Sequence, residues 1–298
     1  MMRRASPNSR ATFMSSTFER TKDMGKKLTQ AQIDAFHRDG FVSPIDVFSE
    51  AEALRLRVEL EAAESKWPEA FQGAARNNAH LNLMCLDGIV HNPVLLDAIE
   101  DLIGPDILSY GTVLFIKEPK DPGFVSWHQD ARYMGLEPHI GITAWVALTE
   151  ANDENGCMQM IPGSHGEIRD HNDTFGEENI LTRGQEVENV DASTAVSTAL
   201  RPGQMSIHSA QVIHSSQPNR SNDRRIGFVI QPYMPPHVQQ TITPTGAQLV
   251  RGSDPFGNFE HLPRPTSDMD PDDIKKRDWV NETWSDILYH GAKMRRDY

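Results

Sequence analysis

His128, Gln129 and Asp130 stand side by side, His214 follows far downstream, and Arg225 comes eleven residues after that. Two imidazoles and one carboxylate on one face of a metal, with the other positions open, are the donor set of non-haem Fe(II) oxygenases. In an extended segment side chains alternate, so residues two apart point the same way. His128 and Asp130 can therefore aim at one ion while Gln129 faces elsewhere. The third ligand has to come from another strand, because one strand cannot wrap three ligands around a face. Arg225 fits the partner of an acidic co-substrate, since a guanidinium fork grips a carboxylate with two parallel hydrogen bonds.

The same spacing recurs in His171-Asn172-Asp173, and His165-Gly166-Glu167 is a near match. Context separates them. His128 follows Phe124-Val125-Ser126-Trp127, a short apolar run suited to a buried strand. His171 lies in Arg169-Asp170-His171-Asn172-Asp173-Thr174, polar on both sides, which reads as a loop of solvated side chains.

Composition limits the function classes. At 298 residues, one large domain, or a domain with helical additions, is expected. Hydrophobic residues make up 38%, which suits a soluble globular chain, and no apolar run is long enough to span a bilayer. The net charge of -13 argues against a nucleic-acid partner, because phosphate binding needs a basic surface. A small anionic substrate held by a few local cations stays open. Two cysteines, Cys85 and Cys157, lack metal spacing, and a reducing, cytoplasmic setting is the default. Met1 to Thr17 carries Arg3, Arg4 and Arg10, several serines and no acid, and is similar to an organelle transit peptide. Met14 and Met24 offer later starts. Residues 1–27 are expected to form a disordered extension, with one domain over 28–298.

Helices come first in the reading. Thr29, with Gln32 three residues on, reads as a capping box for a helix through Phe36. Asp39-Gly40-Phe41-Val42 then turns into a strand. A second helix is expected over Ser49 to Ser65, and a third over Pro93 to Ile103, stopped by Gly104-Pro105. Short apolar runs follow at Ile107 to Ile116, Thr143 to Leu148, Met158 to Ile161, Met205 to His208 and Ile226 to Met234. Many short strands broken by Gly, Pro, Asn and Asp imply a sandwich or barrel. A jelly roll would bring the distant candidate ligands together at strand ends. Asp270-Pro271 starts a last helix whose Trp279 and Trp284 should pack on the outside. Asn172 to Thr198 is acidic and irregular, and could be an insertion covering the site. His208, six residues from His214 along a strand, is expected about 20 Å away and structural.

The run Val125 to Asp130, the segment Asn155-Gly156-Cys157 leading to Pro162-Gly163-Ser164-His165, and His214 to Ser221 with Arg225 resemble the phytanoyl-CoA dioxygenase family. The likeness runs from about Leu28 to Pro236. It implies a mainly β fold with flanking helices, a double-stranded β-helix (jelly-roll) core, Fe(II), and 2-oxoglutarate as co-substrate used with O2. On this likeness His128, Asp130 and His214 match the iron ligands, and Arg225 the arginine on the distal carboxylate of 2-oxoglutarate. Ser216 matches a serine assisting that carboxylate, and Trp145 a tryptophan beside the co-substrate. Many enzymes using 2-oxoglutarate place a serine two after the arginine. Here Gly227 stands there, so Ser216 would supply the hydroxyl. Adjacent Arg224 competes with Arg225 for the inward position, and spacing favours Arg225. Related halogenases lack the carboxylate at Asp130, so its presence favours hydroxylation.

For substrate contacts, Val113, Phe115 and Lys117 share one strand face, from which Lys117 could bind an anionic group. Gln129 and Tyr133 lie beside the metal triplet and could approach substrate. The expectation is a hydroxylase of a small polar metabolite such as 2-aminoethylphosphonate. An acyl-CoA or secondary-metabolite hydroxylase and a non-catalytic jelly-roll metal-binding protein are the rivals.

Overall fold

Four helices precede most of the strands, and local sequence explains where they begin and end. α1 (Gln30–Asp39) starts at the expected capping box: Thr29 Oγ1 accepts from the Gln32 N–H, and Gln32 Oε1 accepts from the Thr29 N–H. It ends at Gly40, whose φ of 85° turns the chain into β1 (Phe41–Asp46). α2 (Glu50–Lys66) is capped by Ser49 and Glu52 in the same reciprocal way. α3 (Met84–Val90) is an element the sequence did not signal, and α4 (Pro93–Ile103) starts on Asn92 with Pro93 in its first turn, as expected. The computed structural model describes residues 25–296, so most of the basic N-terminal extension lies outside the described residues. Residues 25–27 belong to the fold rather than to that extension. The backbone N–H groups of Lys26, Lys27 and Leu28 all donate to the Asp101 carboxylate on α4.

The strands follow in order: β2 (Ile107–Ser109), β3 (Thr112–Lys117), β4 (Val125–His128), β5 (Leu136–Glu137), β6 (Ile142–Ala147) and β7 (Met158–Met160). Then come β8 (His171–Asp173), β9 (Gln185–Val187), β10 (Val196–Ser197), β11 (Gln204–Ser209), β12 (His214–Ser216) and β13 (Arg225–Met234). β14 (Gln239–Gln240), β15 (Gly246–Arg251), β16 (Glu260–His261) and α5 (Pro271–Leu288) complete the chain. An eight-stranded sheet runs β1-β11-β6-β13-β2-β15-β16, with β3 also paired to β13. A four-stranded sheet runs β10-β7-β12-β4. The fold is mainly β with flanking helices, a double-stranded β-helix, as expected.

Strand alternation sorts the large sheet into two faces. Leu114 and Ile116, Ala144 and Val146, Ile207, and Ile226, Phe228 and Ile230 pack with Leu60, Leu86, Leu95 and Ile99 of the helices. The intervening residues, Val113 and Phe115, Trp145 and Ala147, and Val229, pack in a separate cluster with Met158 and Met160 of the small sheet. Both faces are covered, which is why these strands read as unbroken apolar runs. The expected strand Ile107 to Ile116 divides in two at Tyr110-Gly111. Trp284 of α5 stacks on Tyr110 there, ring centroids 5.3 Å apart, and leaves no room for a side chain at Gly111. The segment expected as a loop around His171 holds β8, paired antiparallel with β9, because a partner strand distant in sequence completes its backbone hydrogen bonds.

Candidate metal centre

β4 and β12 are antiparallel neighbours in the small sheet, and His128 and His214 stand opposite each other in their register. Their ring centroids are 4.1 Å apart. Asp130 opens the turn after β4 and points back, with Oδ1 3.3 Å from His128 Nε2 and 3.9 Å from His214 Nε2. Among the described residues, these three side chains form the group whose ligating atoms all lie within 4.8 Å of one another. His128 Nδ1 donates to the Ser126 carbonyl at 2.9 Å, and His214 Nδ1 to the Val212 carbonyl at 3.0 Å. Each backbone acceptor fixes the proton on Nδ1 and leaves an Nε2 lone pair facing the other donors. Burial, then the neighbouring His128, holds the His214 imidazole well below its ordinary pKa and so neutral. The donor set and its tautomers fit a divalent metal ion.

The segment between the ligands is fastened from outside. Both Gln129 amide hydrogens are used, by the Glu167 and Gln211 carbonyls at 2.8 and 2.6 Å, and its Oε1 accepts from the Arg169 N–H. The Gln129 backbone N–H donates to His171 Nε2 at 3.0 Å, while His171 Nδ1 donates to the Arg169 carbonyl. Burial pushes His171 down to about 4, which keeps Nε2 an acceptor. His171 therefore supports the triplet from the hairpin β8–β9 and is no rival to it. Asp173 is paired with Arg183. Tyr133 packs edge-on against the His171 ring at 5.3 Å, with Arg183 over its face at 5.2 Å. The acidic insertion also anchors β4: Ser126 Oγ donates to the Gln185 carbonyl and accepts from Asn179.

Arg225 begins β13 and turns inward, 1% exposed. Its Nη1 donates to the Gly156 carbonyl at 3.0 Å, and its guanidinium lies 5.3 Å from the Trp145 ring. Gly156 has a φ of 74° and touches the Gln217 carbonyl so closely that a Cβ would sit 1.9 Å from it, so glycine is required at this contact. Arg225 Nε and Nη2 are buried without hydrogen-bond partners among the described residues. Arg224 faces the other way, onto Glu64 and Glu118. Lys117 is opposite Arg225 in the β3–β13 register, and its Nζ donates to Ser216 Oγ at 2.8 Å and to the Gln217 carbonyl. Burial, then Arg225, pushes Lys117 down to about 6. Ser216 Oγ, accepting from Lys117, keeps its own proton to donate. Two basic side chains thus meet inside the protein, and two guanidinium nitrogens have no partner among the described residues. That fits a bound carboxylate.

His208 is not about 20 Å from His214. Their ring centroids are 4.6 Å apart. The estimate assumed one continuous strand, but β11 ends at Ser209 and the chain crosses to the small sheet before β12, so the two rings meet across the interior. Thr143, overlooked in the sequence, donates its Oγ1 to Asp130 Oδ2 at 3.2 Å. It lies two before Trp145 on the inward face, and that periodicity was the available signal.

A double-stranded β-helix holding two histidines and an aspartate between its sheets is the frame of a non-haem oxygenase. Residues 36–227 match the phytanoyl-CoA dioxygenase (PhyH) family, and the chain belongs to it. It is 28% identical over 154 residues to a probable alpha-ketoglutarate-dependent hypophosphite dioxygenase of Stutzerimonas stutzeri, over 50% of this chain and 52% of that one. The chain spans about half the length of the curated relatives it matches. Among solved structures it is similar to the apo form of the non-haem monooxygenase ThoJ, with a TM-score of 0.74 and 32% identity over 85% of this chain and 98% of that one. The nickel complex of ThoJ gives a TM-score of 0.70 at 32% identity, over 85% and 96%.

Proposed function

We propose that the protein is an Fe(II)- and 2-oxoglutarate-dependent dioxygenase that hydroxylates a small polar metabolite. His128, Asp130 and His214 would hold the iron. Arg225 would grip the distal carboxylate of 2-oxoglutarate, Ser216 would assist it, and Trp145 would line its site. The carrying observation is that the three-donor cluster and a buried arginine, two of whose nitrogens have no partner among the described residues, lie on facing sheets of one interior. When bound, iron and co-substrate supply the oxidation: one oxygen atom of O2 enters a C–H bond, and the other enters succinate as 2-oxoglutarate loses carbon dioxide.

The chain's own residues supply position. The Ser126 and Val212 carbonyls aim the two imidazoles, and Gln129 and His171 hold the backbone that carries Asp130. Arg225 and Trp145 would orient the co-substrate's far end, the guanidinium lying 5.3 Å from the indole ring, within cation–π range. Lys117, Gln129 and Tyr133, the substrate-contact candidates, each have partners within the protein, and the substrate reading does not rest on them. It is supported by the acidic character of the chain, which suits acyl-CoA poorly, and by the similarity to a protein named for hypophosphite. A phosphonate such as 2-aminoethylphosphonate is therefore the first compound to try. No helix among the described residues is long and apolar enough to cross a membrane, and both cysteines are free. The test is substrate-stimulated succinate formation across small acids, amines, phosphonates and acyl-CoA thioesters. Stimulation by acyl-CoA alone would overturn the substrate class, and failure to bind Fe(II) would overturn the whole reading.

A further inference from the structure

The two oxygens of Asp130 have different surroundings. Oδ1 faces the Nε2 atoms of His128 and His214. Oδ2 faces Thr143 Oγ1 at 3.2 Å and His208 Nε2 at 3.7 Å. Thr143 on β6 and His208 on β11 are direct partners in the antiparallel register, so two adjoining strands of the large sheet present both groups to one oxygen. His208 is 1% exposed, and neither of its ring nitrogens has a hydrogen-bond partner among the described residues. A buried polar ring left unpaired is costly, and here it points at the free oxygen of a candidate ligand. His208 also stays outside the three-residue group whose donor atoms lie within 4.8 Å of one another, so a fourth ligand is not its geometry.

We propose that His208 is a positioning residue of the metal centre: its Nε2–H joins the Thr143 hydroxyl in holding Asp130 Oδ2, so that Oδ1 stays turned toward His128 and His214. This rests on the reading of the triplet as a metal site. A separation of 3.7 Å becomes a hydrogen bond with a shift of under about 1 Å, the kind of adjustment a carboxylate makes when its other oxygen takes a ligand. Groups that orient a ligating side chain from behind typically change metal affinity by about 10- to 100-fold when removed.

Co(II) titration of the full-length protein without co-substrate, followed by visible absorption and calorimetry, tests this apart from turnover. His208→Phe should weaken Co(II) binding by about 10-fold or more and shift the cobalt band. His208→Gln, whose amide nitrogen reaches close to the Nε2 position, should bind within a few-fold of wild type. His208→Asn, whose shorter amide falls short of Asp130, should resemble the phenylalanine variant. Thr143→Val should weaken binding in the same direction. The Gln and Asn pair carries the test if the phenylalanine variant does not fold. Wild-type affinity in both His208→Phe and His208→Asn overturns the proposal, and a raised substrate KM alongside it would make His208 a substrate contact. Equal loss in the Gln and Asn variants also overturns it. A wild-type protein that takes up no Co(II) overturns the metal reading and this inference together.

Discussion

The indole of Trp145 occupies the space that a side chain at position 227 would need: a Cβ on Gly227 would lie 2.0 Å from the ring. In the β13–β6 register Trp145 pairs with Val229 and Gly227 with Ala147, so the ring reaches Gly227 diagonally, and the same ring lies beside the Arg225 guanidinium. Gly227, read from sequence as a missing hydroxyl, is thus the condition for placing an indole beside the arginine. Gly227→Ser should destabilise the protein by about 1–3 kcal/mol through overpacking. It should also weaken 2-oxoglutarate binding. In the Gly227→Ser, Trp145→Ala double variant the two losses should be less than additive, because the clash is gone. Purely additive losses in the double variant, measured by urea unfolding, would sink this account.

Arg225→Ala should raise the apparent 2-oxoglutarate requirement at least about tenfold, since a buried charge-assisted pair costs about 2–5 kcal/mol to break from one side. Arg224→Ala should change it little, because Arg224 spends its donors on Glu64 and Glu118. Ser216→Ala should cost about 1 kcal/mol. Titrating 2-oxoglutarate against the three variants decides it, and a silent Arg225→Ala would reverse the assignment.

Wild-type protein should bind one Fe(II) per chain, and Asp130→Ala should lose hydroxylation. Halide incorporation is not expected from the variant, because opening a ligand position does not place a chloride. Metal analysis and product mass would check both halves. Full activity in the alanine variant would refute the donor set.

Acid should weaken the fold through His80, which is buried with Nδ1 2.8 Å from Thr112 Oγ1. Burial pushes it down to about 3. The depressed folded value means that the unfolded chain takes the proton first. His80's contribution is therefore complete above about pH 6.5 and is lost progressively as pH falls toward 3. In that window wild type should lose about 1.4 kcal/mol per pH unit more than His80→Gln. Parallel urea midpoints for the two proteins between pH 6.5 and 5 would contradict this.

Features set by local chemistry were legible in the sequence. The Thr29 cap, the helices starting near Ser49 and at Pro93, and the apolar runs of β6 and β13 depend on neighbours along the chain. So did the triplet, whose residue types already name a metal. His208 was not legible as a site residue, because its place beside Asp130 depends on where β11 stops and which sheet β12 joins. The strand at β8 and the break at Gly111 likewise come from partners far away, Gln185–Val187 and Trp284. Arg225 rather than Arg224 as the inward residue followed from its spacing to His214, and the structure turns it inward.

Arg225 is a buried cation that meets no carboxylate among the described residues, with Lys117 close by, and such an arrangement works against the folded state until an anion arrives. On the proposed reading that anion is 2-oxoglutarate, which makes the co-substrate a folding ligand as well as a reactant. Stabilisation of about 2.7 kcal/mol would accompany a hundredfold excess over its dissociation constant. The lifetime of the protein in a cell would then rise and fall with the 2-oxoglutarate supply. Central carbon metabolism would set how much enzyme survives as well as how fast it works.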